Sequence, residues 1–328
     1  MKTLFLTLAF GLSLAHGVAG ASAAASQRYT QEEVGITAQG KGGEQRTTKT
    51  TSSVIVTVCE DGGTVTIHGW DRNEVSVANS EENRIRLRPI SGAGESDSAT
   101  KVEVLVSDAG GESVTGRASC NASADIELSV PRGAMVEVKT RGGDVHIANV
   151  AGARVETLGG DIEVRSVSKA VEAKTVSGDV DITESSGRMS VRAITGDINA
   201  MNARAASAGD AFEVVTVNGE ITLERVNYAS VNAASITGSI NVEGALARGG
   251  RYDLRSNTGN IILNLAADAS FRINARVTLA GTIITDFPVR YTGEQSASSM
   301  QRLTGVYGTG DALLNLISYS GTVHLRRK

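Results

Sequence analysis

The sequence predicts an all-β fold, a parallel β-solenoid with about 17–23 residues per coil. Three observations predict it. The phrase "TLGGDIEVRS", beginning at Thr157, returns from Thr175 as "TVSGDVDITE". The glycine of that phrase recurs as Gly143, Gly160, Gly178, Gly196, Gly219, Gly238, Gly259 and Gly281, at spacings of 17, 18, 18, 23, 19, 21 and 22. A solenoid tolerates such drift because each coil touches only its neighbours and extra residues leave as a loop. Composition agrees: 37 Gly, 3 Pro and 4% aromatic residues, with abundant Val, Ile and Thr, describe short strands joined at glycine turns around small side chains.

Taken in order, Lys2, an apolar run from Leu4 to Ala15 and the small-residue stretch "VAGASAAASQ" read as a signal peptide over residues 1–25. Candidate cleavage points follow Ala21, Ala23 and Ala25. The first Cys is Cys59, far from that junction, which points to a periplasmic or released protein over a lipoprotein. No later stretch reaches the roughly 20 apolar residues of a transmembrane helix. Residues 26–50 lack either apolar period and are expected to form a polar linker or loose arm. Alternation starts at Ser53, "SVIVTVCEDGGTVTIHGWDRNEVSVAN", so 51–130 is read as an N-terminal β region and cap, broken by "PISGAGESDSAT". Residues 131–328 form the regular solenoid. They carry a loop near 286–306 and a closing coil, "ALLNLISYSGTVHLRRK", anchored by Gly321.

The glycine register sorts the side chains. Two residues after it stand Val145, Ile162, Val180, Ile198, Ile221, Ile240 and Ile261, and four after it Ile147, Val164, Ile182, Ala200, Leu223, Val242 and Leu263. Five before it stand Val138, Val155, Ala173, Val191, Val214, Ala233 and Leu254; three before it come Thr or Ser in most coils. All four columns should face inward, the hydroxyls bonding backbone near a corner. Rungs about 4.8 Å apart would stack eight to ten coils into a rod on the order of 40–50 Å long. Outward, Glu137 with Lys139, Arg154 with Glu156, Glu172 with Lys174 and Asp253 with Arg255 read as a solvated, patch-free surface.

Chemistry is sparse. A net charge of −4 leaves no basic surplus to neutralise phosphates, so no nucleic-acid partner is expected. Cys59 and Cys120, an even count behind a signal peptide, are expected to form a disulfide. Asp144, Asp161, Asp179 and Asp197 follow successive glycines, where Asp serves turns by accepting backbone N–H groups. The competing reading of that column is a cation ladder, since Glu163 and Asp181 face the same way. Past the leader stand His68, His146 and His324, without metal-ligand spacing, and no G-x-S-x-G occurs. No metal or other cofactor is expected. Trp70 reads as a plug over the end of the first turns.

"GGTVTIHGWDRNEVSV", followed by "ADIELSVPRGAMVEVKTRGGDVHIANVAG" and the Gly-Asp-Ile rungs, resembles the bacterial domain-of-unknown-function 4097 family of adhesin-like proteins with β-strand repeats, from about Ser53 to the end. The resemblance implies a β-solenoid of the cell envelope and brings no catalytic residues. The expectation is therefore a non-catalytic exported adhesin or scaffold, with an envelope or surface partner that is protein or polysaccharide. The alternative is a carbohydrate-active β-helix enzyme, working from two carboxylates roughly 5–9.5 Å apart.

Overall fold

Residues that alternate apolar and polar form strands, because side chains two apart share one face. A computed structural model describes residues 45–79, 84–91, 98–107, 122–292 and 301–328. Those residues form twenty-six strands and no helix. The regular rhythm starts with β7 (Met135–Thr140) and β8 (Val145–Ala148), then β9 (Gly152–Gly159) and β10 (Ile162–Arg165), β11 (Ala170–Ser177) and β12 (Val180–Thr183). It continues through β13 (Arg188–Thr195) and β14 (Ile198–Met201), β15 (Phe212–Asn218) and β16 (Ile221–Glu224), and β17 (Ser230–Thr237) and β18 (Ile240–Glu243). It reaches β19 (Arg251–Thr258) and β20 (Ile261–Leu265). The odd strands stack in parallel as sheet I. The even strands do the same as sheet II. This is a β-solenoid of two strands per coil.

The register places Val145, Ile162, Val180, Ile198, Ile221, Ile240 and Ile261 side by side, all at most 1% exposed. The three other inward columns are buried as well. Burying a side chain of this size contributes about 1.5–3 kcal/mol, so the column pattern is the main stabilising feature. The buried hydroxyls bond backbone. Thr140 and Thr157 donate to Gly142 and Gly159 of their own corners at 2.5 Å, whereas Thr216, Ser235 and Ser256 donate to the glycine carbonyl one rung back, at 3.0–3.2 Å. The long spacing between Gly196 and Gly219 leaves as a loop, closed by Asp210, which accepts the N–H groups of Ala206 and Ser207.

Two corners bend each coil. At the first, a Cβ on Gly196 would lie 2.1 Å from the carbonyl oxygen of Gly178, and the same collision recurs rung after rung. Only glycine lets the corners stack this closely. The second corner carries a left-handed residue in five successive coils. Asn149, Ser166, Glu184, Asn202 and Arg225 all have φ between 52° and 61°, a left-handed conformation that Asn visits readily and Ser, Glu and Arg avoid.

The ends break the sequence order. β1 (Gln45–Cys59) and β2 (Val65–Trp70) form a coil whose neighbours are β7 and β8 on one side, and β5 (Ala99–Ser107) and β6 (Ile126–Pro131) on the other. The far end repeats the exchange. β25 (Ala312–Ser320) and β26 (Val323–Arg327) insert between β19 and β20 and the coil of β21 (Phe271–Ala280) and β22 (Ile283–Thr285). The coil expected to close the stack is therefore an interior rung. Part of the expected loop near 286–306 is strand: β24 (Gln301–Tyr307) lies antiparallel to β21, and β23 (Arg290–Tyr291) lies antiparallel to β24. At the start, β4 (Arg84–Ile90) covers β5, and β3 (Glu74–Asn79) joins β6 to Gln45–Lys49. Residues 45–50 thus belong to β1, while the rest of the expected arm lies outside the described residues.

Trp70 is not the expected plug. β2 is paired on both edges, and the half-buried indole donates to the Glu74 carbonyl at 2.9 Å beneath the Arg72 guanidinium. An aromatic cluster sits instead on the terminal coil at the other end, where Phe287 meets Phe271 and Tyr307 edge-on, with centroids 5.3 and 4.9 Å away.

Candidate interaction surface

Outward residues of sheet I stand in columns because the rungs are in register. Over β7 to β15 two columns are mostly charged and knitted across rungs: Lys139 to Glu156 at 3.4 Å, Arg154 to Glu172 at 3.4 Å, Lys174 to Glu156 at 3.5 Å and Arg192 to Glu213 at 3.1 Å. Burial would raise the Glu156 carboxyl, but hydrogen bonds from Arg154 and Lys139 and the Lys174 charge outweigh it and hold the group below the usual carboxylate range. Such exposed pairs contribute little stability each. Asp253 departs from its expected partner: Arg251 bonds it at 2.7 Å and Asn315 at 2.8 Å.

The third column overturns the patch-free expectation. Two residues before the glycine, from Gly160 onward, stand Leu158, Val176, Ile194, Val217 and Ile236, then the polar Asn257, then Tyr319, with Leu279 beyond, where β21 bulges. Ile236 is 51% exposed, Tyr319 47% and Leu279 61%. Strand parity sends them outward, and the stack aligns them into one apolar ladder. Over the later coils Val215, Ala234 and Ile317 replace the charges beside it, and a shallow groove of about 280 Å³ opens between Ile236, Tyr319 and Arg255. Its lining contains no carboxylate.

The Asp column belongs to the first glycine corner. Asp144 accepts the N–H of Asp161 at 2.9 Å, Asp161 that of Asp179 at 2.8 Å, Asp179 that of Asp197 at 2.7 Å, and Asp197 that of Glu220 at 2.7 Å. Each carboxylate thus satisfies a corner donor of the next rung, the role a turn Asp fills. Among the described residues no three His, Cys, Asp or Glu side chains gather as a metal site. His146 pairs with Glu163 at 3.0 Å, whereas His68 and His324 lie on other coils. Cys59 ends β1; Cys120, its expected partner, lies outside the described residues. Sequence reasoning missed Glu60, a carboxyl 2% exposed beside that cysteine, whose alternation it interrupts. No helix among the described residues is long and apolar enough to cross a membrane.

These features define a two-sheet parallel β-solenoid with one face charged in its early coils and apolar along a corner. The chain belongs to the Toastrack family, domain of unknown function 4097, whose model matches residues 27–244. Among solved structures it is similar to a "putative adhesin" from Parabacteroides merdae, with 9% identity, 87% of this chain and 96% of that one covered and a TM-score of 0.31. Another is a "putative cell adhesion protein" from Clostridium sporogenes, with 10% identity, 87% and 100% covered and a TM-score of 0.24. No curated protein matches.

Proposed function

We propose that the chain is an exported, non-catalytic interaction protein of the bacterial envelope or extracellular space, an adhesin or scaffold that engages a protein or polysaccharide through the outer face of sheet I. The observation that carries this reading is the apolar ladder, laid bare across successive coils beside charges that are paired among themselves. Glu156, Glu172, Glu213 and Asp253 on that face are partnered by Arg or Lys, and the groove holds one aromatic ring and no acid, which favours contact over glycoside chemistry. Export rests on the signal-peptide pattern of residues 1–25. The test is binding of the labelled, purified protein to intact bacterial cells and to isolated envelope polysaccharide, after fractionation of the producing cells. The protein should leave the cytoplasm and bind saturably, and Ile194→Glu should weaken binding at least tenfold. Retention in the cytoplasm, or release of reducing ends from the polysaccharide, would overturn the reading.

A further inference from the structure

We propose that the ladder on sheet I is the contact surface between two copies of this chain, which associate side by side, ladder against ladder. The inference rests on the reading of that face as an interaction surface and names its partner. Growth through the ends is obstructed: β4, the last strand of sheet I at one end, carries Arg86, Arg88 and Pro89, and β22 at the other end of sheet II is three residues long. The side face is open. Its ladder repeats with the rung spacing, about 4.8 Å, over eight successive coils from Leu158 to Leu279, with Asn257 as the one polar rung. A partner that fills such a row along its length needs the same repeat, and a second copy has it. A two-fold axis makes one patch meet itself, so the single ladder suffices on both sides.

Size agrees with this assignment. Six large apolar side chains, Leu158, Val176, Ile194, Ile236, Tyr319 and Leu279, are 41–61% exposed and present on the order of 500 Å² of apolar surface, near the upper limit for a lone monomer. With the flanking polar columns the face reaches the roughly 800 Å² per partner of a standard interface. Competing occupants fit less well. An anionic lipid surface calls for a row of unpaired cations, yet Lys139, Arg154, Lys174 and Arg192 are each bound to a glutamate, which leaves Arg255 beside the groove. A glycan calls for several aromatic platforms, and this groove offers Tyr319 alone.

The experiment is sedimentation velocity of the purified protein, as its host processes it, over a wide micromolar range. A concentration-dependent dimer is expected. Ile236→Lys together with Ile317→Lys should weaken it at least a hundredfold with unchanged circular dichroism, and Ile194→Ser should weaken it about tenfold. Met201→Lys, an equally exposed site on sheet II, should leave it unchanged. A monomer at every concentration, or a dimer indifferent to the ladder substitutions, would overturn the inference. The same variants enter the cell-binding assay: a monomeric wild type whose cell binding still depends on Ile194 would sink self-association and leave the proposed function standing.

Discussion

At Glu60 a carboxyl is buried with one oxygen accepting the Ala124 N–H at 3.3 Å and the other unpartnered. Burial raises its pKa from 4.5 to about 7; the Ala124 hydrogen bond opposes this, and the charges of Asp125 and Asp61 add to it. Because the folded value lies above the unfolded one, the native state holds this proton more tightly. The associated stability is fully present below pH 4.5 and is lost as pH rises through about 7. The loss is on the order of 3 kcal/mol. Glu60→Gln should therefore match wild type in urea midpoint near pH 4.5 and exceed it at pH 8.5. Equal differences at the two pH values would show that the carboxyl titrates normally. Gly196 offers a second residue-scale case. Its Cβ would strike a carbonyl at φ 139°, so Gly196→Ala should cost several kcal/mol, about 3 or more. Gly142, with nothing within 4 Å, is the control, and Gly142→Ala should shift the thermal midpoint little. Similar losses at both would place the strain elsewhere.

At the scale of the coil, the Asp ladder trades repulsion against hydrogen bonding. Carboxylates stacked one rung apart repel by about 1 kcal/mol in water. Each also accepts an N–H that the corner leaves free, and the same position becomes Ser239 and Asn260, which accept from Asn260 and Thr322 at 3.3 and 2.9 Å. Neutral residues that do the same work make a required ion unnecessary. Thermal unfolding in millimolar calcium and in chelator, at matched ionic strength, should give coincident curves; collapse in chelator would restore the cation reading. The proposed Cys59–Cys120 bond would tie the end of β1 to the approach to β6. Closing a loop of about 60 residues corresponds to about 4 kcal/mol in the chain-entropy model. Thiol titration of the denatured, unreduced protein should find no free thiol, and two per chain would refute the pairing.

For the whole molecule, the exchanged coils decide what can be removed. β25 and β26 are last in sequence but interior in space, with β19 and β20 on one side and β21 and β22 on the other. Deleting residues 312–328 should not behave as loss of a fraying tail. It uncovers two edges at once and separates the aromatic cap of Phe271, Phe287 and Tyr307 from the stack. Aggregation on expression, or a greatly reduced m-value, is the expected outcome. A soluble, cooperative truncation with the wild-type midpoint would mean the chain closes the gap by re-pairing β19 with β21.

Four inward columns, the two-strand coil and the glycine corner were determined by the sequence itself, because burial and steric closeness act on every rung alike and repeat in the chain. The ladder was half legible. Leu158 in "TLGGD" and Val176 in "TVSGD" sit in the repeated phrase, but one outward aliphatic per coil is unremarkable until the stack sets each beside the next. Left-handed corners were only faintly written in the chain: Asn149 and Asn202 suit that conformation, but Ser166, Glu184 and Arg225 hold it without the residue type that favours it. The order of the terminal coils could come only from the tertiary structure. Gly259, Gly321 and Gly281 carry interchangeable corners, and the glycine contacts run from 259 to 321 and then to 281. Identical rungs pair equally well in either order; the longer, bulged β21 and the antiparallel β24 over it break that tie.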